Sequence, residues 1–340
     1  MLAALGLTGE AAALPGRLAG GARAGIDRDG WPRLATGQGT IAARRVRPNP
    51  ALDRYARVMG LTPQRHGSDL ILGLGPGGAE GAPFPDLAAE IARQILAAPA
   101  EMPADRLAAR LPMIGVWAAS VLRGRKTPPS GGDLVTLRGP DDVRVETAEE
   151  PFAGYFAVQV AHLRHCSHAG GMSPVMRRET FVSGDAVVVL PWDPRRDRVL
   201  LIEQFRMAPF LRGDPQPWLL ETVAGRVDAG ETVEQAARRE AQEEAGLTLT
   251  RLFPAIDCYP SPGAFAEYLY LFVGIADLPD GIAGIHGLES EAEDIRGHVI
   301  DRADLTRLAL AGQIPNGPLA TLALWLELRI GTLRMHLDRP

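Results

Sequence analysis

The sequence predicts an α/β chain in two parts: a smaller α+β region in front, then a strand-rich region closed by helices. Three observations predict it. Beyond residue 152, short apolar or alternating runs recur between turn signals, as strands do. Among them one stretch, 232–245, holds no Gly or Pro and is rich in alanine and charge, as helices are. Residues 124–150 cluster Pro128, Pro129, Ser130, Gly131 and Gly132 ahead of a charged run, the composition of a linker. The cut falls near 135, giving a front domain 1–135, a connecting segment 136–150 and a second domain 151–335. At 340 residues the chain is long enough for two separate cores.

In the front domain GWPRLATGQGTIAARRV (30–46) reads as a hairpin with Gly37 and Gly39 near its turn. An apolar piece at 69–74 runs into LGPGG (74–78), which lacks both the GK[ST] of a P-loop and the GxGxxG spacing, so it reads as a turn. Helical patterns follow at 84–98 and 103–123. Pro103 suits a first helical position, and Leu107, Leu111, Ile114, Ala118 and Leu122 share one broad face. Pro112 should kink that second helix or split it.

In the second domain residues 155–160 alternate, 161–165 extend the run, and Ala169, Gly170 and Gly171 turn it. Strands are expected at 176–182, 186–190, 199–205 and 218–223, with Asp193 to Asp197 as a tight connection. Further strands are expected at 251–257, 268–275 and 297–300. Helices at 302–311 and 318–333 close the chain.

The chemistry gathers at 225–247, GRVDAGETVEQAARREAQEEAGL. Asp228 to Gly230 supply turn chemistry, and Gly246 is a natural helix stop. Glu240 stands three and four positions before Glu243 and Glu244, so three carboxylates share one helix face. Each like-charge pair at that spacing costs an exposed helix roughly 0.2–0.5 kcal/mol, which Arg239 offsets only in part. A bare EXXEE is most simply a solvated acidic face. The whole pattern is more specific, and it resembles the Nudix box G-x5-E-x7-R-E-U-x-E-E-x-G-U at Gly225, Glu231, Arg239, Glu240, Glu243, Glu244 and Gly246, with Ala241 and Leu247 in the aliphatic places. The resemblance implies the Nudix α/β/α sandwich over about 150–335. It also implies a metal-dependent hydrolase of nucleoside diphosphates linked to another moiety.

Outside the box, LPWDP (190–194), VLLIEQFR (199–206), PWLLE (217–221), YPSPG (259–263) and EDIR (293–296) resemble the bacterial ADP-ribose pyrophosphatase family, including its tellurite-resistance-linked branch. A proline some fifteen residues past the box marks ADP-ribose in that family, and Pro262 stands there. The resemblance implies that Ala224 gives a backbone carbonyl, and Glu240, Glu244 and Glu293 carboxylates, to two or three Mg2+ ions, with Mn2+ an alternative. Glu291 is the implied base, with Glu289 and Glu293 close enough to exchange that assignment. Arg239 is implied to position Glu243. On the substrate side Arg206 is implied to reach the phosphates and Glu267 the terminal ribose. Ser261 lies in the implied binding loop, and Tyr155 and Phe156 would stack on adenine. Arg178 and Glu179 match positions that the family donates across a dimer interface, which implies a homodimer. Ser183 departs from the family, which has a further arginine there. The front domain resembles, through Gly30-Trp31-Pro32-Arg33-Leu34, a gamma-glutamylcyclotransferase-like domain. It lacks that family's YGTL-like loop, so no catalytic residue is carried over and a structural or interaction module is expected.

Composition excludes several classes. A net charge of −5 argues against non-specific nucleic-acid binding. Two cysteines, Cys166 and Cys258, indicate no disulfide framework and suit a reducing cytoplasm. The apolar N-terminus lacks a basic n-region and is interrupted by Glu10, a poor signal peptide, and no apolar run approaches a membrane span. The reading is hydrolysis of ADP-ribose to AMP and ribose 5-phosphate. Another nucleotide sugar such as GDP-mannose is the nearest rival. A non-catalytic ADP-ribose sensor is the rival of another class.

Overall fold

A computed structural model describes residues 1–129, 131–288 and 293–337. The chain divides into two compact units. The first holds Met1–Ser183 together with Asp228–Gly230 and Gly263–Ala266; the second holds Gly184–Val227, Glu231–Pro262 and Glu267–Pro340.

The first unit opens with a ribbon of β1 (Glu10–Ala19) and β2 (Arg33–Arg45), antiparallel from Glu10↔Arg45 to Ala19↔Arg33. The hairpin expected within 30–46 is therefore not formed; those residues make one strand paired to β1. Gly37 and Gly39 lie in a bulge, since Pro15 faces Thr40 while Arg17 faces Ala35. Gly39 has φ +150, and a Cβ there would stand 3.0 Å from the Gly16 carbonyl oxygen. Helix α1 (Pro50–Val58) was not foreseen, although Asn49-Pro50 is a start signal: the Asn49 side chain accepts from Leu52 N at 2.8 Å. A short hairpin of β3 (Gln64–His66) and β4 (Asp69–Ile71) precedes the 74–78 turn. Helix α2 (Pro85–Ala97) fills the first predicted helical stretch. The second is split into α3 (Ala104–Ala109) and α4 (Leu111–Gly124), with Pro112 in the first turn of α4. Tyr55, Ile91, Ile95, Leu107 and Ile114 center the core of these helices.

The first unit also carries a sheet in the order β13-β7-β6-β5. Its strands are β5 (Val143–Ala153), β6 (Ala157–His165), β7 (Met176–Val182) and β13 (Phe265–Ala266). Residues 143–150, expected in the connecting segment, belong to β5. That strand is exposed along almost its whole length, so beyond Val143-Arg144-Val145 its sequence carries no apolar alternation to reveal it.

The second unit is an eight-stranded mixed sheet between helices. Its central strands are β8 (Ala186–Asp193) and β9 (Arg198–Phe205), joined by a tight turn in which Asp197 has φ +51. They pair only at Trp192↔Val199 and Asp193↔Arg198, then diverge. Into the gap come β10 (Trp218–Glu221) on β9 and β11 (Val223–Arg226) on β8. Buried Thr222 is the point of exchange, its hydroxyl donating to the Val189 carbonyl. After the short helix α5 (Met207–Arg212) and α6 (Val233–Ala245), β14 (Leu269–Ile275) runs parallel beside β8 and β12 (Arg251–Cys258) lies antiparallel on its outer side. On the other side β16 (Ile295–Asp301) pairs with β9, and β15 (Ile285–His286) lies at its outer edge. Helices α7 (Arg302–Leu310) and α8 (Gly317–Leu337) end the chain.

The run AVVVLPW is apolar throughout because both faces of β8 are buried. Val187 and Val189, with Leu200 and Ile202, pack beside Ala236, Ala237, Ala241 and Ala245 of α6. Val188, Leu190 and Trp192, with Val199 and Leu201, pack beside Leu305 of α7 and Leu319, Leu322 and Leu326 of α8. This is the three-layer arrangement that the resemblance to the Nudix family implied.

Candidate active site

Helix α6 is set by its ends. Thr232 and Gln235 form a reciprocal capping box, and Gly246 closes the helix in the left-handed conformation at φ +64. Alanines line its buried face, which lets the helix lie close to β8 and β11 and puts its carboxylates against the β11 backbone. Glu244 is 4% exposed and accepts from Ala224 N at 2.9 Å. Glu240 lies over Gly225 so closely that a Cβ built there would fall 2.0 Å from its carboxylate carbon. Space, not backbone freedom, requires that glycine.

Arg239 ties the cluster together. It forks onto Glu231 through Nε at 3.1 Å and Nη2 at 3.0 Å. Nη1 donates to Glu240 at 2.7 Å and Glu243 at 2.9 Å, and Nη2 also donates to the Arg226 carbonyl at 3.0 Å. It therefore orders three carboxylates, where the sequence had assigned it one.

Burial pushes the Glu240 carboxyl up to about 7; Arg239 opposes this, while Glu243 and Glu293 reinforce it. Burial likewise pushes Glu244 up to about 8, opposed by the Ala224 N–H and reinforced by Glu240 and Glu293. Glu293 thus adds its field to both box carboxylates. Arg206, which feels Glu244 and Glu293, forks onto buried Glu221 at 2.9 and 2.8 Å. Glu221 was missed as a partner of Arg206; its signal is a single acid at the end of an otherwise apolar strand.

The NUDIX domain family matches residues 182–319. The "ADP-ribose pyrophosphatase" of Escherichia coli (strain K12) is 42% identical over 202 residues, 59% of this chain and 96% of the relative. The chain belongs to the Nudix ADP-ribose pyrophosphatase family. The protein of that name in Haemophilus influenzae is 36% identical over 201 residues, covering 58% of this chain and 92% of its own. A "GDP-mannose pyrophosphatase" of Enterobacter sp. (strain 638) is 31% identical over 45% of this chain and 78% of its own.

In this Nudix chain Gly225, Glu231, Arg239, Glu240, Glu243, Glu244 and Gly246 of the box, with Ala224, Arg206 and Glu293, lie in the second unit, as do exposed Ser261 and half-buried Glu267. Tyr155, Phe156, Arg178 and Glu179 lie in the first unit. Glu291 and Glu289 fall outside the described residues. Tyr155 and Phe156 meet edge to face at 4.8 Å, and Phe156 continues to Phe181 at 4.8 Å and Phe265 at 5.5 Å. The last two rings were missed, because only the β7–β13 pairing brings residue 265 beside 181. On β7, Arg178 turns to the Arg177 carbonyl and Met176 sulfur, and Glu179 pairs with Arg177.

Among the described residues no three His, Cys, Asp or Glu groups already stand as a metal site. Glu244 turns an oxygen to Ala224 N, Glu240 to Arg239, and Glu293 to Leu288 N at 3.3 Å. The donor chemistry nevertheless fits a hard divalent cation, which takes carboxylate and carbonyl oxygens. Burial, reinforced by neighbouring carboxylates, pushes Glu240 and Glu244 toward their neutral forms, and a cation offsets both.

Proposed function

We propose that this chain hydrolyses the pyrophosphate bond of ADP-ribose, giving AMP and ribose 5-phosphate. The observation that carries the reading is 42% identity to an ADP-ribose pyrophosphatase over 96% of that protein's length. The intact box and its ordered carboxylates support it. Glu240, Glu244, Glu293 and the Ala224 carbonyl would hold two or three Mg2+ ions. When bound, these neutralise pyrophosphate charge and make water a better nucleophile near neutral pH. Arg239 keeps Glu240 and Glu243 from moving as charge develops. Arg206, steadied by Glu221, meets the phosphate oxygens in bidentate fashion. Glu291 takes the proton of the attacking water. Glu267 and Ser261 serve the sugar side, and Tyr155 and Phe156 the adenine.

Arg178 and Glu179 support a homodimer in which each subunit completes the other's substrate site, in the cytoplasm. The front domain, residues 1–135, serves as a structural or interaction module that resembles a gamma-glutamylcyclotransferase-like domain. The domain at 151–335 carries the chemistry and resembles the ADP-ribose pyrophosphatase family, including its tellurite-resistance-linked branch.

A GDP-mannose reading is favoured only by the lower identity to the Enterobacter protein. Steady-state hydrolysis of ADP-ribose, GDP-mannose and NADH with Mg2+ separates the two. ADP-ribose should turn over fastest, and Glu244→Gln should remove most of the rate. Preference for another nucleotide sugar would retire the substrate assignment and keep the chemistry. Tight binding of ADP-ribose without cleavage would make the protein a sensor.

A further inference from the structure

The turn inside the box, between Val227 and Glu231, belongs to the first compact unit. Ala229 is only 8% exposed and sits in the front core cluster with Ile91, Leu111 and Ile114. Its carbonyl accepts from Arg23 Nη1 at 3.0 Å. Asp27 holds Arg23 in turn, taking both Nε and, at 3.1 Å, Nη2. Helix α4 approaches through Gly115, where a Cβ would stand 2.9 Å from the Ala229 Cβ. Gly230 has φ +87, and a Cβ there would meet Arg23 Nη1 and the Phe84 ring at 3.4 Å. A turn whose central residue, Ala229, is buried in another region's core while Asp228 stays exposed is held there by that one residue, since a loop otherwise gives its backbone groups to water.

We propose that Arg23, braced by Asp27, is a positioning residue that fastens the 228–230 turn of the box into the front core. The next residue, Glu231, takes the fork of Arg239, and Arg239 orders Glu240 and Glu243. A turn free to shift would carry Glu231 with it and loosen the carboxylates. The front domain then acts on the box through the chain itself.

The test uses the full chain with Arg23→Gln, Arg23→Lys and Gly115→Ala. It reads amide hydrogen exchange at 227–232, the half-saturating Mg2+ concentration in ADP-ribose hydrolysis, and the rise in melting temperature with Mg2+. Losing a charge-assisted bond should speed exchange at 227–232 about tenfold in Arg23→Gln while α4 and β8 keep their protection. Half-saturating Mg2+ should rise several-fold in both the rate and the melting readouts, with KM at saturating Mg2+ unchanged. Arg23→Lys should recover part of this. Gly115→Ala, which presses on Ala229 with Arg23 intact, should give the same signature. Unchanged exchange at 227–232 in both Arg23→Gln and Gly115→Ala overturns the proposal. So does faster exchange throughout the chain in both, which marks a merely structural role, or a faster turn with unmoved Mg2+ dependence. The Mg2+ arm by rate rests on the proposed hydrolysis; if wild type cuts no nucleotide sugar, that reading fails, and exchange with the melting readout still decides the clamp.

Discussion

Gly225 shows how narrowly one residue is constrained. It is not in a conformation reserved for glycine; a methyl group there would occupy the place of the Glu240 carboxylate. Gly225→Ala must displace that carboxylate, and a displacement near 1 Å at reacting groups costs about 100-fold. The expected outcome is a kcat lower by about that factor, with the near-ultraviolet circular dichroism of the fold retained. An unchanged kcat would mean that Glu240 is free to leave its observed position without consequence. Arg239 sets the opposite kind of limit. Its five contacts need a planar fork of donors, which a lysine ammonium does not supply.

At the scale of the element, α6 owes its placement to small side chains and its ends to capping. Thr232→Ala removes the hydroxyl that accepts from Gln235 N and breaks the reciprocal box. Such a loss costs about 1 kcal/mol. In a domain of this size that lowers the melting temperature by roughly 2–4 °C, measurable by calorimetry. No change would show that the first turn of α6 is held from elsewhere. The helix was legible in the sequence to within a residue at each end, since capping, composition and the Gly246 stop are all local signals. Strand β5 was not, because an exposed strand has no burial period, and the β1–β2 ribbon was misread as one hairpin because a glycine pair serves a bulge as well as a turn.

For the whole molecule, the proposed cation site would link stability to metal binding through buried carboxylates. Burial pushes Glu240 up to about 7 and Glu244 up to about 8 in the folded protein, against their ordinary 4.5 in the unfolded chain. Below about pH 4.5 both states are protonated and the contribution is complete. Between about pH 5 and 8 the unfolded chain ionises first, so the metal-free protein loses stability as pH rises. Mg2+ favours the ionised carboxylates and should restore it. Melting curves from pH 5 to 8 should fall without Mg2+, and the rise on adding Mg2+ should be larger at pH 8 than at pH 5. A flat metal-free curve together with no effect of Mg2+ at pH 8 would remove these carboxylates from the cation site.

By itself the sequence determined the chemistry of the box and the order of elements around it. Residues three and four apart on a helix share a face whatever surrounds them, so Glu240, Glu243 and Glu244 could be grouped before any contact was known. The tertiary structure decided which groups meet across the chain. Arg206 finds Glu221 fifteen residues away, Arg23 finds the Ala229 carbonyl 206 residues away, and Phe181 finds Phe265 through strand pairing. No local period records such partners. They follow from how strands β8 and β9 separate, how β7 takes β13, and how the front core takes in one turn of the box.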